Sequence, residues 1–371
     1  MPTALVLSSE DLGEWSSKAA TVRAPGGSLP YGIQHLRHNF TLTWSDAQLR
    51  GIWRTRPARA VGEATRRGAP GLRGYLGAVY AMPLARSADV VLSVFENVGL
   101  GFARFQGLLT TLKRPLPHIM LTCWLAEDLL HMSPFQIRSV RRSLESISGV
   151  AVFSANQIPI LQQCLALDRE RIGVVPFGVD TEYYDAATMR EPGGGSGLIA
   201  VGGDRRRDYS TLVEAVRIAD VPLTLVCYPR NIAGLDRPPH IKVLFGISHD
   251  EYRRLLHSAD LVVTPTVAPA YPSGQSVVLE AMSMGKATLT TDSSAMRDYI
   301  TDGVNGVLVP PRAPAVMAEL IRALLTDGNH RHSIGLAAAE TVRERFGLEQ
   351  MWKCVSKLMT VACTSQSGSP R

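Results

Sequence analysis

The stretch from Tyr271 to Ile300, YPSGQSVVLEAMSMGKATLTTDSSAMRDYI, holds the densest chemistry in the chain. Pro272, Ser273 and Gly274 form a turn that leads into an apolar run, Ser276 to Met284, which reads as a helix stopped at Gly285. A helix that begins behind a small, glycine-containing turn is an anion site. Its first amides have no helical partners and lie at the positive end of the dipole. Here those amides are predicted to be Gln275, Ser276 and Val277. Glu280, the only charge between Val277 and Met284, falls on the same face as Ser276, one turn further in. Carboxylates are seldom buried alone. Glu280 therefore either accepts hydrogen bonds from sugar hydroxyls while the amides hold a phosphate, or pairs with a neighbouring arginine as a structural acid.

A second candidate anion site lies upstream. Leu198 to Val201 reads as a strand, Gly202 and Gly203 turn the chain past Arg205, Arg206 and Arg207, and Asp208 or Ser210 can cap a helix over Thr211 to Arg217. Arginine grips a diphosphate through two parallel hydrogen bonds. The plain alternative for three adjacent arginines is a solvated loop tip. The nearby EPGGGSG, Glu191 to Gly197, precedes a strand and lacks a trailing Lys-Ser/Thr, so it reads as a flexible connector rather than a phosphate loop.

These segments need a scaffold, and the apolar runs supply one. Ala4–Ser8, Phe40–Trp44, Asp89–Val94, Ile119–Thr122, Gly149–Phe153 and Ile172–Val175 read as strands of one parallel sheet. Leu198–Val201, Pro222–Cys227, Ile241–Leu244, Leu261–Pro265 and Ala287–Thr291 read as strands of another. Helices are predicted at Leu72–Leu84, Gln157–Leu165 (capped from Ser154–Asn156), Ser248–Ser258, Pro314–Leu325, Arg331–Phe346 and Leu348–Val361, with a frayed polar tail behind.

Three segments in order resemble the retaining glycosyltransferases of the GT-B fold, group 1 or family 4. Ser273–Met284 with GKATLTTDSSAMRDYITDGVNGVLVPP behind it is similar to that family's donor segment. RIGVVPFGVDTEYY, Arg171–Tyr184, is similar to its passage between domains, and VGGDRRRDYSTLVEA, Val201–Ala215, to its glycine turn, basic residue and helix. The likeness is strong from Ser148 to Pro311 and thinner before. It implies an α/β architecture of two Rossmann-like domains with parallel sheets facing across a cleft. The N-terminal, acceptor-side domain would be residues 1–178 and the nucleotide-sugar domain 179–346, with a helix at 347–361 returning to the first domain and a flexible tail at 362–371.

The resemblance also implies roles. The donor would be held by Gly202, Gly203, Arg206, Arg207, the backbone near Ile247, Ser273, Gly274, Gln275, Ser276, Val277 and Glu280. Gly26 and Gly27, in a glycine loop after the first strand, would lie near the donor phosphates. Arg207 and Glu280 would carry catalysis, Arg207 at the place of the family's phosphate-binding basic residue. The family has two glutamates separated by seven residues. The second matches Glu280, on the ribose, but the first, which helps bind the sugar, would fall on Pro272. Sugar recognition must be arranged differently, through the backbone of Ser273 to Ser276.

Ligands of open α/β sheets collect beyond the C-terminal strand ends. Glu96 and Asn97 after one strand, and Trp124, Glu127 and Asp128 after another, are thereby acceptor candidates. The ring of Trp124 either stacks on a sugar or cyclitol face or packs in the core. The family's histidine near Cys123 or Trp124 is missing.

Composition narrows the class. With 371 residues and 45% hydrophobic content the chain can bury two cores. A net charge of +6 favours anionic ligands such as nucleoside diphosphates, and nothing resembles a nucleic-acid motif. The N-terminus lacks the pattern of a signal peptide, no apolar stretch approaches the ~20 residues needed to span a bilayer, and a cytoplasmic location is expected. Five scattered cysteines without CxxC spacing predict reduced thiols, and no metal or other cofactor is expected. Seven arginines between Arg50 and Arg73 read as a solvated face, with docking on an anionic membrane as the less favoured alternative.

The expected reaction is transfer of a sugar from a nucleoside diphosphate sugar, UDP above others, to a hydroxyl of a small soluble acceptor. A cyclitol or amino sugar of secondary metabolism, such as antibiotic biosynthesis, fits that description. The alternatives are a peripheral membrane enzyme acting on a lipid-linked saccharide, a nucleotide-sugar isomerase, and a non-catalytic donor-binding protein.

Overall fold

A computed structural model describes residues 1–19, 24–44, 81–109, 116–190, 193 and 195–367. The arginine-rich segment Arg50–Arg73 lies outside the described residues, as does most of the helix expected at Leu72–Leu84, of which 81–84 are described and helical. The chain divides into two compact units, one of Met1–Arg23, Gly27–Pro176 and Met351–Arg371, the other of Ala24–Gly26 and Phe177–Gln350.

The first unit is built on β1 (Thr3–Leu7), β2 (Thr41–Trp44), β3 (Val90–Val94), β4 (His118–Thr122), β5 (Gly149–Val152) and β6 (Ile172–Val174). They pair in the order β2-β1-β3-β4-β5-β6, every pair parallel. β3, β4 and β5 are buried along their whole length, which is why they read as continuous apolar runs rather than alternating ones. The helices Glu96–Leu109, Pro134–Leu144 and Gln157–Leu165 supply the covering layer, packing Leu100, Leu144 and Leu161 with Met120 and Val150.

The second unit repeats the plan with β7 (Leu198–Val201), β8 (Leu223–Val226), β9 (Ile241–Leu244), β10 (Leu261–Thr264), β11 (Ala287–Thr291) and β12 (Val307–Val309). The order is β12-β11-β10-β7-β8-β9, again parallel throughout. The chain builds outward from β7 to β9, then returns to β10 on the other side of β7. The C-terminal ends of β7 and β10 therefore flank a topological switch point, where sheets of this kind bind ligands. Helix Tyr209–Ala219 is capped by Asp208, whose carboxylate accepts from Thr211 N (3.1 Å) and Thr211 Oγ1 (2.7 Å). Helix His249–Ser258 starts with a capping box between Ser248 and Glu251.

Several local expectations give way. The last helix continues past Val361 to Ser367, so 362–367 are helical, with Ala362 buried and the hydroxyls of Thr364 and Ser365 bonded back to the preceding turn. Gly195 and Gly197, expected in a flexible connector, donate their amides to the Asp260 carboxylate at 3.0 and 2.8 Å. Helix Gln157–Leu165 has no side-chain cap and is started by the carbonyls of Ser154 and Ala155. Among the described residues no helix is long and apolar enough to cross a membrane.

Candidate functional site

The site grows from the turn after β7. Gly202 N–H donates to Val226 O (2.9 Å), continuing the ladder, and its carbonyl accepts from Tyr209 Oη (2.6 Å). The arginine turn is then laced to the end of β10: Asp208 N donates to Pro265 O (3.1 Å) and Val267 N to Arg206 O (3.0 Å), with Arg207 bridged to Thr266. This lacing fixes the backbone from which Arg207 projects.

The Arg207 guanidinium lies between two glycines from distant segments. A Cβ on Gly202, at φ 146°, would stand 2.4 Å from Nε, and one on Gly274, at φ 88°, would stand 2.4 Å from Nη1. Only glycine leaves room for the side chain to pass between the two turns. Nε and Nη1 are buried and meet no hydrogen-bond partner among the described residues. A buried cation with unused donors is costly unless an anion completes it.

Gly274 also opens the helix Gln275–Ser283 as its left-handed N-cap, with no side chain over the first turn. The Gln275 amide is not open as expected, because the tight turn bends it back onto Pro272 O (3.0 Å). The amides of Ser276 and Val277 have no acceptor among the described residues. Gln275 and Val277 are buried, Ser276 half-buried. Open amides at a helix start beside a buried guanidinium favour one ligand type, a phosphate.

Two carboxylates frame this pocket of positive charge. Asp204 ties the arginine turn to the helix start: its Oδ1 accepts from Tyr271 Oη (2.6 Å), Ser273 Oγ (3.1 Å) and Arg206 N (2.8 Å). Burial pushes its carboxyl up, but the Tyr271 hydroxyl, the Arg206 amide and the Arg207 charge outweigh that and hold it below the ordinary value. Glu280 keeps part of its surface in solvent. Its Oε2 accepts from Tyr252 Oη, and the Tyr184 hydroxyl acts on the same carboxyl. Burial pushes the Glu280 carboxyl up to about 7, with both hydroxyls opposing the rise. Its protein neighbours are therefore tyrosines, and the arginine pairing, one of the two readings open from sequence, is not what the structure has.

The other expected donor residues are more dispersed. Gly203 is covered by the Tyr228 ring, to which its Cβ would come within 2.2 Å, and its carbonyl accepts from Arg230 Nη2 (3.2 Å). Arg206 is half-buried within the same turn, and Ile247 is half-buried in the loop after β9. Gly26 spends its amide on Asp180 Oδ2 (3.0 Å) in the second unit, while Gly27, in the first, accepts from Trp15 Nε1 (3.4 Å).

In the first unit the acceptor candidates separate. Glu96, an acceptor candidate beyond β3, is buried and turned inward. Oε2 accepts from Thr122 Oγ1 (3.0 Å) and Cys123 N (3.1 Å), and Oε1 from Trp124 N (2.8 Å). It serves the end of β4 rather than an incoming molecule. Phe95, just before it, takes a left-handed φ of 73°. Trp124 is half-buried, its ring 5.5 Å from that of Phe95, which in turn meets Tyr31 edge-on at 5.5 Å. Glu127 is buried with its Oε1 3.3 Å from His131 Nε2, and Asp128 is half-buried on the same short helix. Tyr31, Phe95, Tyr184, Tyr252 and Asp204 were not singled out from sequence. Only Asp204, an acid set into an arginine turn, carried a local signal.

Residues 230–341 match the family model for glycosyl transferases group 1. Over 313 residues the chain is 28% identical to the alpha-maltose-1-phosphate synthase of Mycolicibacterium smegmatis, covering 71% of this chain and 76% of that protein. Over 214 residues it is 28% identical to a D-inositol 3-phosphate glycosyltransferase of Xylanimonas cellulosilytica, covering 49% of each. Its fold is that of the Anabaena HepE protein crystallised with UDP and glucose, at a TM-score of 0.69 and 15% identity, covering 97% of this chain and all of the other.

Proposed function

For a chain whose residues 230–341 match the family model for glycosyl transferases group 1, we propose an enzyme that moves a sugar from UDP to a hydroxyl of a small, soluble, hydroxylated ring, with retention at the anomeric carbon. The observation that carries this reading is the Arg207 guanidinium, seated between Gly202 and Gly274 with buried Nε and Nη1 unpartnered among the described residues. A diphosphate is the ligand that satisfies it together with the amides of Ser276 and Val277.

The chemistry follows from where charge forms. As the bond from the anomeric carbon to the diphosphate breaks, the electron pair stays with the leaving oxygen. Donors already aimed at that oxygen lower the barrier most. Arg207 with Arg206 and the helix amides supply this stabilisation without a metal. Glu280 accepts from the ribose diol. On the same face of the sugar, the acceptor hydroxyl forms the new bond and passes its proton to the departing phosphate, which gives retention. The UDP bound in the HepE crystal, on the same fold, supports uridine as the base. A cyclitol or amino sugar is the acceptor class, in line with the inositol phosphate of the Xylanimonas relative's name. Trp124 would stack on its ring, and Glu127 and Asp128 would accept from its hydroxyls.

A thermal-shift panel of UDP, GDP, ADP, dTDP and their common sugar conjugates, on the wild type and Glu280→Ala, tests the donor assignment. Stabilisation by the uridine series alone, lost in the variant, is the expected outcome. No stabilisation by any of them would end this reading. Transfer that survives EDTA and yields the donor's own anomeric configuration, by NMR of the product, tests the two mechanistic claims.

A further inference from the structure

Glu280 is held in an uncommon way. Buried carboxylates are usually matched by arginine, lysine or main-chain amides. Here the neighbours are phenols: Tyr252, on the helix His249–Ser258, donates its hydroxyl to Oε2, and the Tyr184 hydroxyl, from the segment after β6, also favours the ionised carboxyl. The two rings meet at 6.2 Å and 74°, and Tyr184 packs edge-on against Tyr183 at 5.0 Å and 83°. Tyr183 is anchored by its hydroxyl to Asp250 Oδ1 (3.1 Å), and the Arg253 guanidinium lies over its ring, 4.8 Å from the centroid. The phenols are thereby braced from behind.

The charged groups around the carboxylate are few. Asp180 acts on Tyr184 from its own segment, and Arg207 acts on Tyr252 from the turn after β7. Glu280 therefore depends on two neutral hydroxyls for its orientation and for the stability of its ionised form. Phenols suit this position. A cationic partner would neutralise Glu280, whereas a hydroxyl leaves it the strong acceptor that a sugar diol requires.

We propose that Tyr252, with Tyr184 as its second, is a positioning residue: the two hydroxyls hold the Glu280 carboxylate as an oriented acceptor for the ribose diol of the bound nucleotide. This rests on the donor reading given above. It adds that the pH range of nucleoside binding is set by these phenols. Burial opposes ionisation of Glu280, and the two hydroxyls oppose burial. Removing one raises the pH at which the carboxylate forms, so affinity for the ribose is lost earlier as pH falls.

The test is binding of uridine, whose ribose diol comes without an ionisable phosphate, measured calorimetrically from pH 5.5 to 8.5. UDP is run beside it as a check on site occupancy, on the wild type, Tyr252→Phe, Tyr184→Phe and Tyr183→Phe. Wild-type affinity should fall as pH drops through the region near 7. In Tyr252→Phe the midpoint should move up by about one unit, with affinity at pH 7 lowered about 5- to 30-fold and partly recovered at pH 8.5. Tyr184→Phe should move it the same way. Tyr183→Phe, which keeps both hydroxyls on Glu280, should leave it in place. An unmoved midpoint in Tyr252→Phe, or an equal shift in Tyr183→Phe, would reduce Tyr252 to a packing role and overturn the proposal. A wild type that binds neither uridine nor UDP would instead overturn the donor reading beneath it.

Discussion

Among the described residues, Glu96 and Glu280 are the acids that burial leaves above the ordinary carboxyl value, one in each unit, and each finds a key partner 28 residues away in the chain. Their surroundings diverge. Glu96 meets two main-chain amides and a threonine hydroxyl, all held by the end of β4. Glu280 is flanked by two tyrosine hydroxyls and keeps a part of its surface in solvent. It lies on the helix that opens with the Ser276 and Val277 amides, which, like Arg207 Nε and Nη1, have no partner among the described residues. Burial of a charge thus marks a candidate ligand site only where the surrounding donors leave work undone. Where main-chain amides complete the acid, it is part of the scaffold.

The comparison breaks most visibly in stability. Glu96→Ala strands the amides of Cys123 and Trp124 and the Thr122 hydroxyl in the interior, and should cost about 3 kcal/mol or more in urea denaturation. Nucleotide affinity of the folded variant should not change. A loss under about 1 kcal/mol would show that the main-chain bonds to Glu96 do not carry the weight given to them.

Arg207→Ala should behave in the opposite way. With Nε and Nη1 unpartnered among the described residues, little folding energy is lost, but turnover should fall by about 2–3 kcal/mol, roughly 30- to 150-fold. A variant that melts early and turns over normally would place Arg207 in the scaffold beside Glu96.

Glu280→Gln sharpens the contrast through pH. The folded carboxyl sits at about 7, above its ordinary 4.5, so the ionised acid penalises the fold. The penalty is absent below pH 4.5, grows as pH rises, and is complete above 7. Without nucleotide, the variant should therefore be more stable than the wild type at pH 8 by about 1–3 kcal/mol and equal to it near pH 4.5, measured by denaturation at both values. The same change should weaken nucleotide binding, the trade expected of a site residue.

Gly202→Ala should give the smallest effect. The new methyl would crowd Arg207 Nε at 2.4 Å, and the displaced guanidinium should lower nucleotide affinity for about 1 kcal/mol of lost stability. Affinity equal to the wild type would mean that the seat between the glycines is not what aims Arg207.

Much of this was legible in the sequence, and the reasons are local. β7, β9 and β11 coincide with their apolar runs, and Asp208 caps the helix that its position announced. The glycine turns at Gly202 and Gly274 stand where the spacing put them, since the left-handed conformation is open to few other residues. The helix Glu96–Leu109 was not anticipated, because Gly99, Gly101 and Gly107 dilute its pattern. The Gln275 amide was misjudged by one position, since the turn at Pro272 consumes it.

What the sequence alone determined is a pair of parallel sheets, the turns and helix starts that carry Arg207 and Glu280, and the family resemblance these segments bear. Tertiary structure alone decided which donors meet each buried acid. Glu280 received phenols rather than an arginine, Glu96 turned inward, and Asp204 was joined to Tyr271, 67 residues away. Strands, caps and turns follow from rules that act over a few residues. The partner of a buried carboxylate depends instead on how neighbouring strands and helices are set side by side, and no spacing along the chain records it.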